Sequence, residues 1–174
     1  LDAIEARARR FLGAFAGTGA LCAYAVKANA LPAVLSRVAR TGMGAEAGSL
    51  GELELAAAAG FNAERRILNG NGRTLEEAQW SVRQGVHSVN ADHAGELDLL
   101  ETEAGREGRS LRVSLRVNPG IATPGHRYVA TGHDDAKFGL APEEALSAWA
   151  SRALRFGRHG SRSCPTRKRP ARSP

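Results

Sequence analysis

Lys27 is the residue whose setting in this chain most invites chemistry. It follows Leu21-Cys22-Ala23-Tyr24-Ala25-Val26, an apolar run that reads as a buried strand, and lysine is almost never fully buried without a partner. Two readings are open. The strand ends there and the ammonium escapes to water or pairs with an acid such as Glu46. Alternatively, a lysine stripped of solvation becomes a neutral amine, nucleophilic toward aldehydes, which is the preparation a Schiff-base lysine needs. The ends of the later strand-like segments carry Glu46, Asn69, Asn71, Asn90, Arg116 and Asn118. Together with Lys27 they make a polar ring suited to a cofactor cup, although strand ends are also polar simply because they meet water.

Other constellations are weaker. The five histidines show no HxxxH or HExxH spacing, and Cys22 and Cys164 form no CxxC pair, so no metal site is expected. Cys22 reads as a small core residue of a reducing compartment. Gly70-Asn71-Gly72 could cradle an anion through backbone amides, but tight turns look the same. His133-Asp134-Asp135 reads as a solvated loop.

The elements that must position these residues alternate along the chain. Helical spacing of apolar residues predicts helices over roughly Ala3–Ala16, Leu31–Arg40, Ser49–Gly60, Leu75–Arg83, Gly95–Glu103 and Pro142–Ala150. Ser49 and Glu52 have capping-box spacing, and Gly60 and Gly85 are C-terminal stops. Strands are expected at Leu21–Val26, Met43–Ala47, Arg66–Asn69, His87–Asn90 and Leu111–Val117, the last closing on Asn118-Pro119-Gly120. Such alternation implies a parallel sheet with right-handed crossovers. Short strands and the lack of GxGxxG favour an α/β fold of the (β/α)8 barrel type over a dinucleotide-binding sheet. Five strands are fewer than eight, so the expectation is a partial, truncated barrel.

Composition bounds the rest. The 174 residues are enough for one domain, and 43% hydrophobic with 24% charged residues is ordinary for a globular protein. No apolar run approaches the ~20 residues a membrane span needs. The start, LDAIEARARRFLGAF, is a charged amphipathic helix without a signal-peptide pattern, and a cytoplasmic location is the default. Opening at Leu1 rather than Met hints at a processed or partial sequence. The net charge of +6 resides in residues 151–174, which hold seven Arg, one Lys and no acid, leaving residues 1–150 with 16 basic against 18 acidic side chains. The domain reading is therefore a body over 1–150 and a basic, low-complexity tail over 151–174. That tail is expected to be disordered or frameshifted, since out-of-frame reading of GC-rich DNA yields Arg, Pro, Ser and Gly. A nucleic-acid-binding role through the tail is the competing class, but no aromatic residues interleave for base stacking.

Several stretches, in order, resemble the fold-type III pyridoxal-phosphate enzymes, and diaminopimelate decarboxylases in particular. YAVKANA (Tyr24–Ala30) resembles the cofactor-lysine segment. GMGAEAGSLGELELAAAAGF (Gly42–Phe61), ILNGNGRTLEEA (Ile67–Ala78), VNADHAGELDLLE (Val89–Glu101) and RVNPGIATPGHRYVATGHDDAKFGL (Arg116–Leu140) follow. The last is the most specific, carrying the family's pattern at His126, Tyr128, Thr131, Gly132, Lys137, Phe138 and Gly139. Alanine racemases share the KANA tetrapeptide but continue with Tyr-Gly-His-Gly, where this chain has Leu31-Pro32-Ala33-Val34. The resemblance covers nearly all of residues 1–150 and none of the tail.

The resemblance implies an alanine-racemase-like barrel that binds pyridoxal 5'-phosphate. It makes Lys27 the catalytic, cofactor-bonding lysine, with Glu46, Asn71 and Arg116 lining the cup. The implied reaction is decarboxylation of meso-diaminopimelate to L-lysine and CO2, the last step of lysine biosynthesis, in a parent enzyme that works as a homodimer on an amino-acid substrate. The alternatives are another fold-type III enzyme (an ornithine or arginine decarboxylase, or an amino-acid racemase) and a non-catalytic pyridoxal-phosphate-binding protein. The family's ring-stacking histidine, glycine-rich phosphate loop and acid at the pyridine nitrogen belong to later segments. The expectation is therefore that this chain alone is inactive and poorly stable.

Overall fold

The computed structural model describes residues 1–120 and 139–156. The elements run α1 (Asp2–Ala14), β1 (Ala23–Ala25), α2 (Pro32–Ala39), β2 (Gly44–Ala47), α3 (Leu50–Ala58), β3 (Arg66–Leu68), α4 (Leu75–Gln84), β4 (Ser88–Ala91), α5 (Ala94–Arg106), β5 (Val113–Leu115) and α6 (Pro142–Phe156). The five strands pair in parallel in chain order, β1 to β5, with no reversal. Because right-handed crossovers taken always in one direction put every helix on the same side, this is part of a barrel wall and not a doubly wound sheet. Such a sheet reverses its strand order at a switch point. A parallel bridge between Val117 and Leu140 continues the wall beyond β5.

One face of the sheet holds the core. Val26, Ala45, Ala47, Leu68 and Val89 are buried with Val34, Leu35 and Val38 of α2, Leu53 and Ala56 of α3, Ala78 of α4 and Leu100 of α5. Each fully buried leucine contributes about 1.5–3 kcal/mol through surface removed from water. Cys22 is buried in this core, as expected.

The helices start where the sequence supplies caps. Thr74 and Glu77 form a reciprocal capping box on α4, and Gly85 ends that helix at φ 64°. On α3, Ser49 Oγ accepts from the Glu52 amide at 3.3 Å, but Glu52 reaches one residue past the expected position, accepting from Gly48 N at 2.7 Å. So Ser49 and Glu52 cap the helix without closing a standard box.

Most element ends shift by one to three residues from expectation, and three differences bear on the site or the domain limits. The first strand is confined to Ala23–Ala25, and Val26–Ala28 forms a 3-10 turn in which fully buried Val26 is the anchor. An edge strand has a ladder on one side only, so little opposes this early turn. The strand expected over Leu111–Val117 is likewise only Val113–Leu115. At the other end, α6 passes Ala150 and continues to Phe156. The expected body–tail division thus falls inside a helix, because Arg, Ala and Leu in Ser151–Phe156 are good helix formers even without an apolar stripe. The loop motif from His126 to Phe138, the His133-Asp134-Asp135 segment, Cys164 and residues 157–174 lie outside the described residues.

At the carboxyl end of β3 the chain passes very close to its neighbour. Gly70 has φ 108°, and a Cβ there would sit 2.7 Å from the Gly48 carbonyl oxygen. The turns after β2 and β3 are thereby pressed backbone to backbone. Gly70→Ala should lower the urea-unfolding free energy by about 1–3 kcal/mol, the range of a strained backbone position. An unchanged midpoint would show that these turns are not packed this way.

Candidate functional site at the carboxyl edge of the sheet

Parallel pairing fixes which side chains share a face. Ala25 pairs with Glu46, Glu46 with Ile67, Ile67 with Ser88, and Asn90 with Ser114. Side chains alternate along a strand. The face turned away from the helices therefore carries Ala25, Gly44, Glu46, Ile67, Ser88, Asn90 and Ser114; Asn69 and Arg116 follow in the same alternation just past β3 and β5, while Lys27 lies in the 3-10 turn after β1. Small residues occupy its floor and polar ones its rim.

The structure brings several expected residues into contact. Asn69 Nδ2 donates to Glu46 Oε1 at 2.8 Å, and the Asn69 amide donates to the Ala47 carbonyl at 2.7 Å. Glu46 Oε2 has no hydrogen-bond partner among the described residues and is available to a ligand. Arg116 Nη1 lies 3.3 Å from Asp92 Oδ1. Asn118 opens a turn in which its Oδ1 accepts from Gly120 N at 3.1 Å. Asn71 is exposed in the turn between Gly70 and Gly72.

Lys27 departs from expectation. Its side chain is exposed, and among the described residues it makes no ion pair with Glu46 or any other acid. The idea of an amine shut away from water is corrected here. The strand stops at Ala25, Val26 takes the buried position, and the following turn carries Lys27 onto the open rim of an edge strand.

Three functional neighbours escaped the sequence reading: Arg73, Asp92 and Glu96. Glu96 is 2% exposed and sits at the third position of α5. Its Oε2 accepts from Asp92 N at 2.9 Å and its Oε1 accepts from Arg73 N at 3.3 Å. The Arg73 side chain, 1% exposed, places Nε 3.8 Å from Glu96 Oε2. Its Nη2 donates to the Asn90 carbonyl at 2.7 Å and to the Gly70 carbonyl at 3.3 Å. Burial pushes the Arg73 guanidinium below its usual range, while Glu96, Glu77 and Asp92 pull in the opposite direction. Glu77 does the same work one turn back, with Oε2 accepting from Thr74 N and Oε1 from Leu50 N at 3.2 Å. The signal available in sequence was a glutamate recurring at one helix position: Ser49-x-x-Glu52, Thr74-x-x-Glu77, His93-x-x-Glu96.

Two hollows lie away from this edge. An apolar groove of about 590 Å³ runs between β5 and α6, lined by Val113, Leu115, Val117, Leu146 and Trp149. A polar one of about 400 Å³ sits at the amino end of the strands, beside Glu64, Arg65 and His87. Neither holds Lys27 or its neighbours, and their lining offers no amine. The carboxyl rim is the candidate site because its chemistry converges there. Among the described residues no group of three or more His, Cys, Asp or Glu is arranged to hold a metal ion, and no helix is long and apolar enough to cross a membrane.

Comparison with known proteins identifies the family. Residues 1–156 match the family model described as the pyridoxal-binding domain of pyridoxal-dependent decarboxylases. The chain is 40% identical over 146 residues to a diaminopimelate decarboxylase of Zymomonas mobilis, covering 82% of this chain and 35% of that one. It is 39% identical over 150 residues to the Pseudomonas aeruginosa enzyme of the same name, covering 86% and 36%. The crystal structure of Helicobacter pylori diaminopimelate decarboxylase complexed with L-lysine superposes with a TM-score of 0.79 at 33% identity, covering 86% of this chain and 39% of that one. The chain thus spans about a third of the length of the curated relatives it matches.

The buried pair yields a stability prediction. Arg73→Met strands the Glu96 carboxylate and should cost about 3–5 kcal/mol in urea unfolding, as removal of one partner of a buried ion pair does. Adding Glu96→Gln should recover part of that loss. A cost below about 1 kcal/mol, typical of a surface pair, would contradict the burial described.

Proposed function

That the chain belongs to the pyridoxal-dependent decarboxylase family is the premise from which we propose that Lys27 is its cofactor-bonding lysine and that its reaction is decarboxylation of meso-diaminopimelate to L-lysine. The observation that carries this is one exposed primary amine, two residues beyond Ala25, the register partner of Glu46, with Glu46 fixed by Asn69 at the carboxyl edge of a parallel α/β wall.

The residues present suit pyridoxal phosphate. An exposed amine is accessible to an aldehyde. Small side chains at Ala25 and Ser114 share the face that carries Glu46, and Arg116 supplies a cation at the rim. Bound there, the cofactor supplies an aldehyde for amine capture and a ring that accepts the electron pair freed as the α-carboxylate leaves.

The chain's own groups do the rest. Lys27 Nζ would hold the cofactor and, when free of it, would serve as the proton carrier toward the substrate α-carbon. Asn69 fixes the Glu46 carboxylate through Oε1, so that Oε2 faces a bound ring in one orientation. Asp92 restrains the Arg116 guanidinium, and Asn71 closes the cup from the β3–α4 turn. The L-lysine named with the Helicobacter relative supports this substrate over ornithine, arginine or a racemase substrate. The same reading makes the working unit a cytoplasmic homodimer and residues 1–156 its pyridoxal-binding part.

The test uses the full chain with pyridoxal phosphate, borohydride reduction and peptide mapping. The pyridoxyl group should appear on Lys27, and Lys27→Ala should abolish it. Labelling spread over other lysines, or unchanged in the variant, would overturn the assignment.

A further inference from the structure

Arg73 touches nothing that the proposed reaction needs, yet the fold invests heavily in it. A side chain 1% exposed, on a turn, links three carbonyl or carboxylate groups: Gly70 O, Asn90 O and Glu96. Buried arginine is costly unless it holds something in place. What it holds can be followed atom by atom. Glu96 accepts from the Asp92 amide at 2.9 Å, and the Asp92 carboxylate in turn meets the Arg116 guanidinium at 3.3 Å. Arg116 stands at the end of β5, with its amide donating to the Ala91 carbonyl at 2.9 Å. The route therefore runs from the turn after β3, through the first turn of α5, to the edge of β5.

We propose that Arg73 is a positioning residue: acting through Glu96 and Asp92, it sets where the Arg116 guanidinium stands in the cofactor cup. This rests on the reading of the rim as a pyridoxal-phosphate site. Asp92 is the pivot, since its backbone is fixed by Glu96 while its side chain restrains Arg116. Arg73 keeps Glu96 aimed, through its own amide and the guanidinium beside the carboxylate, because a rotated Glu96 would release the Asp92 amide. The direct grip on Gly70 also steadies the turn that carries Asn71. Sites that work this way lose function when the supporting residue is changed even though it contacts no ligand.

Arg73→Lys retains the charge but loses the planar guanidinium whose Nη2 bonds the Gly70 and Asn90 carbonyls while Nε stands 3.8 Å from Glu96. A double-mutant cycle with Arg116→Lys separates positioning from general structure. The readout is the pyridoxal phosphate concentration giving half-maximal borohydride-trapped label on Lys27 of the full chain. Thermal midpoints are measured alongside, and Glu96→Gln replaces Arg73→Lys should that variant not fold. Arg73→Lys should raise the half-saturating concentration about tenfold with Arg116 present, and less than about twofold once Arg116 is lysine, as expected for coupled positions. Equal effects in both backgrounds would show that Arg73 acts independently of Arg116 and would overturn the proposal while leaving the Lys27 assignment intact. Failure of the unsubstituted chain to label Lys27 would overturn the cofactor reading itself and this inference with it.

Discussion

The carboxyl edge of this sheet is held by carboxylates that accept backbone amides from two loops at once. Glu77 bridges Thr74 and Leu50; Glu96 bridges Asp92 and Arg73. A helix start leaves amide donors unsatisfied, and a glutamate at the third helical position normally serves its own helix alone. Here its second oxygen serves the preceding βα loop. Such side chains crosslink successive segments at the carboxyl edge of the wall. Their register therefore governs where the loop-borne groups stand.

The site follows from that frame together with the pleat. Parallel pairing puts Glu46 beside Ala25, and alternation turns its side chain away from the helix-packed core. Apolar groups at Ala45, Ala47, Leu68 and Val89 bind the wall to the helices, leaving the opposite face free for polar residues. Packing and chemistry thus share each strand without competing. The wall is less complete at its margins. Val117, Leu146 and Trp149 are exposed where β5 and α6 meet, and Lys27 stands exposed in the turn after an edge strand.

Much of this was legible in the sequence, for identifiable reasons. The alternation of apolar strands with amphipathic helices prescribed a parallel α/β wall, and Lys27, Glu46, Asn69 and Arg116 could be placed at strand ends because each follows a short apolar run. The exact end of β1 could not be read. Leu21–Val26 has strand-like character throughout, and only the burial of Val26 against helices shows that the chain has turned before Lys27. Arg73 was hidden for a related reason. An arginine before a helix cap looks like a solvated turn, and its burial depends on Glu96, a residue remote in sequence. The helical reach of α6 beyond Ala150 was masked by the absence of an apolar pattern.

Amide hydrogen exchange, resolved by residue, addresses the two-loop carboxylates most directly. The amides of Arg73 and Asp92 lie outside helix and strand, and among the described residues the acceptor each meets is Glu96. Both should exchange slowly, at rates near those of α5, and Glu96→Ala should release both while leaving the β3 amides protected. Exchange of Arg73 and Asp92 in the unsubstituted chain as fast as that of the exposed Gly17 amide would contradict the account.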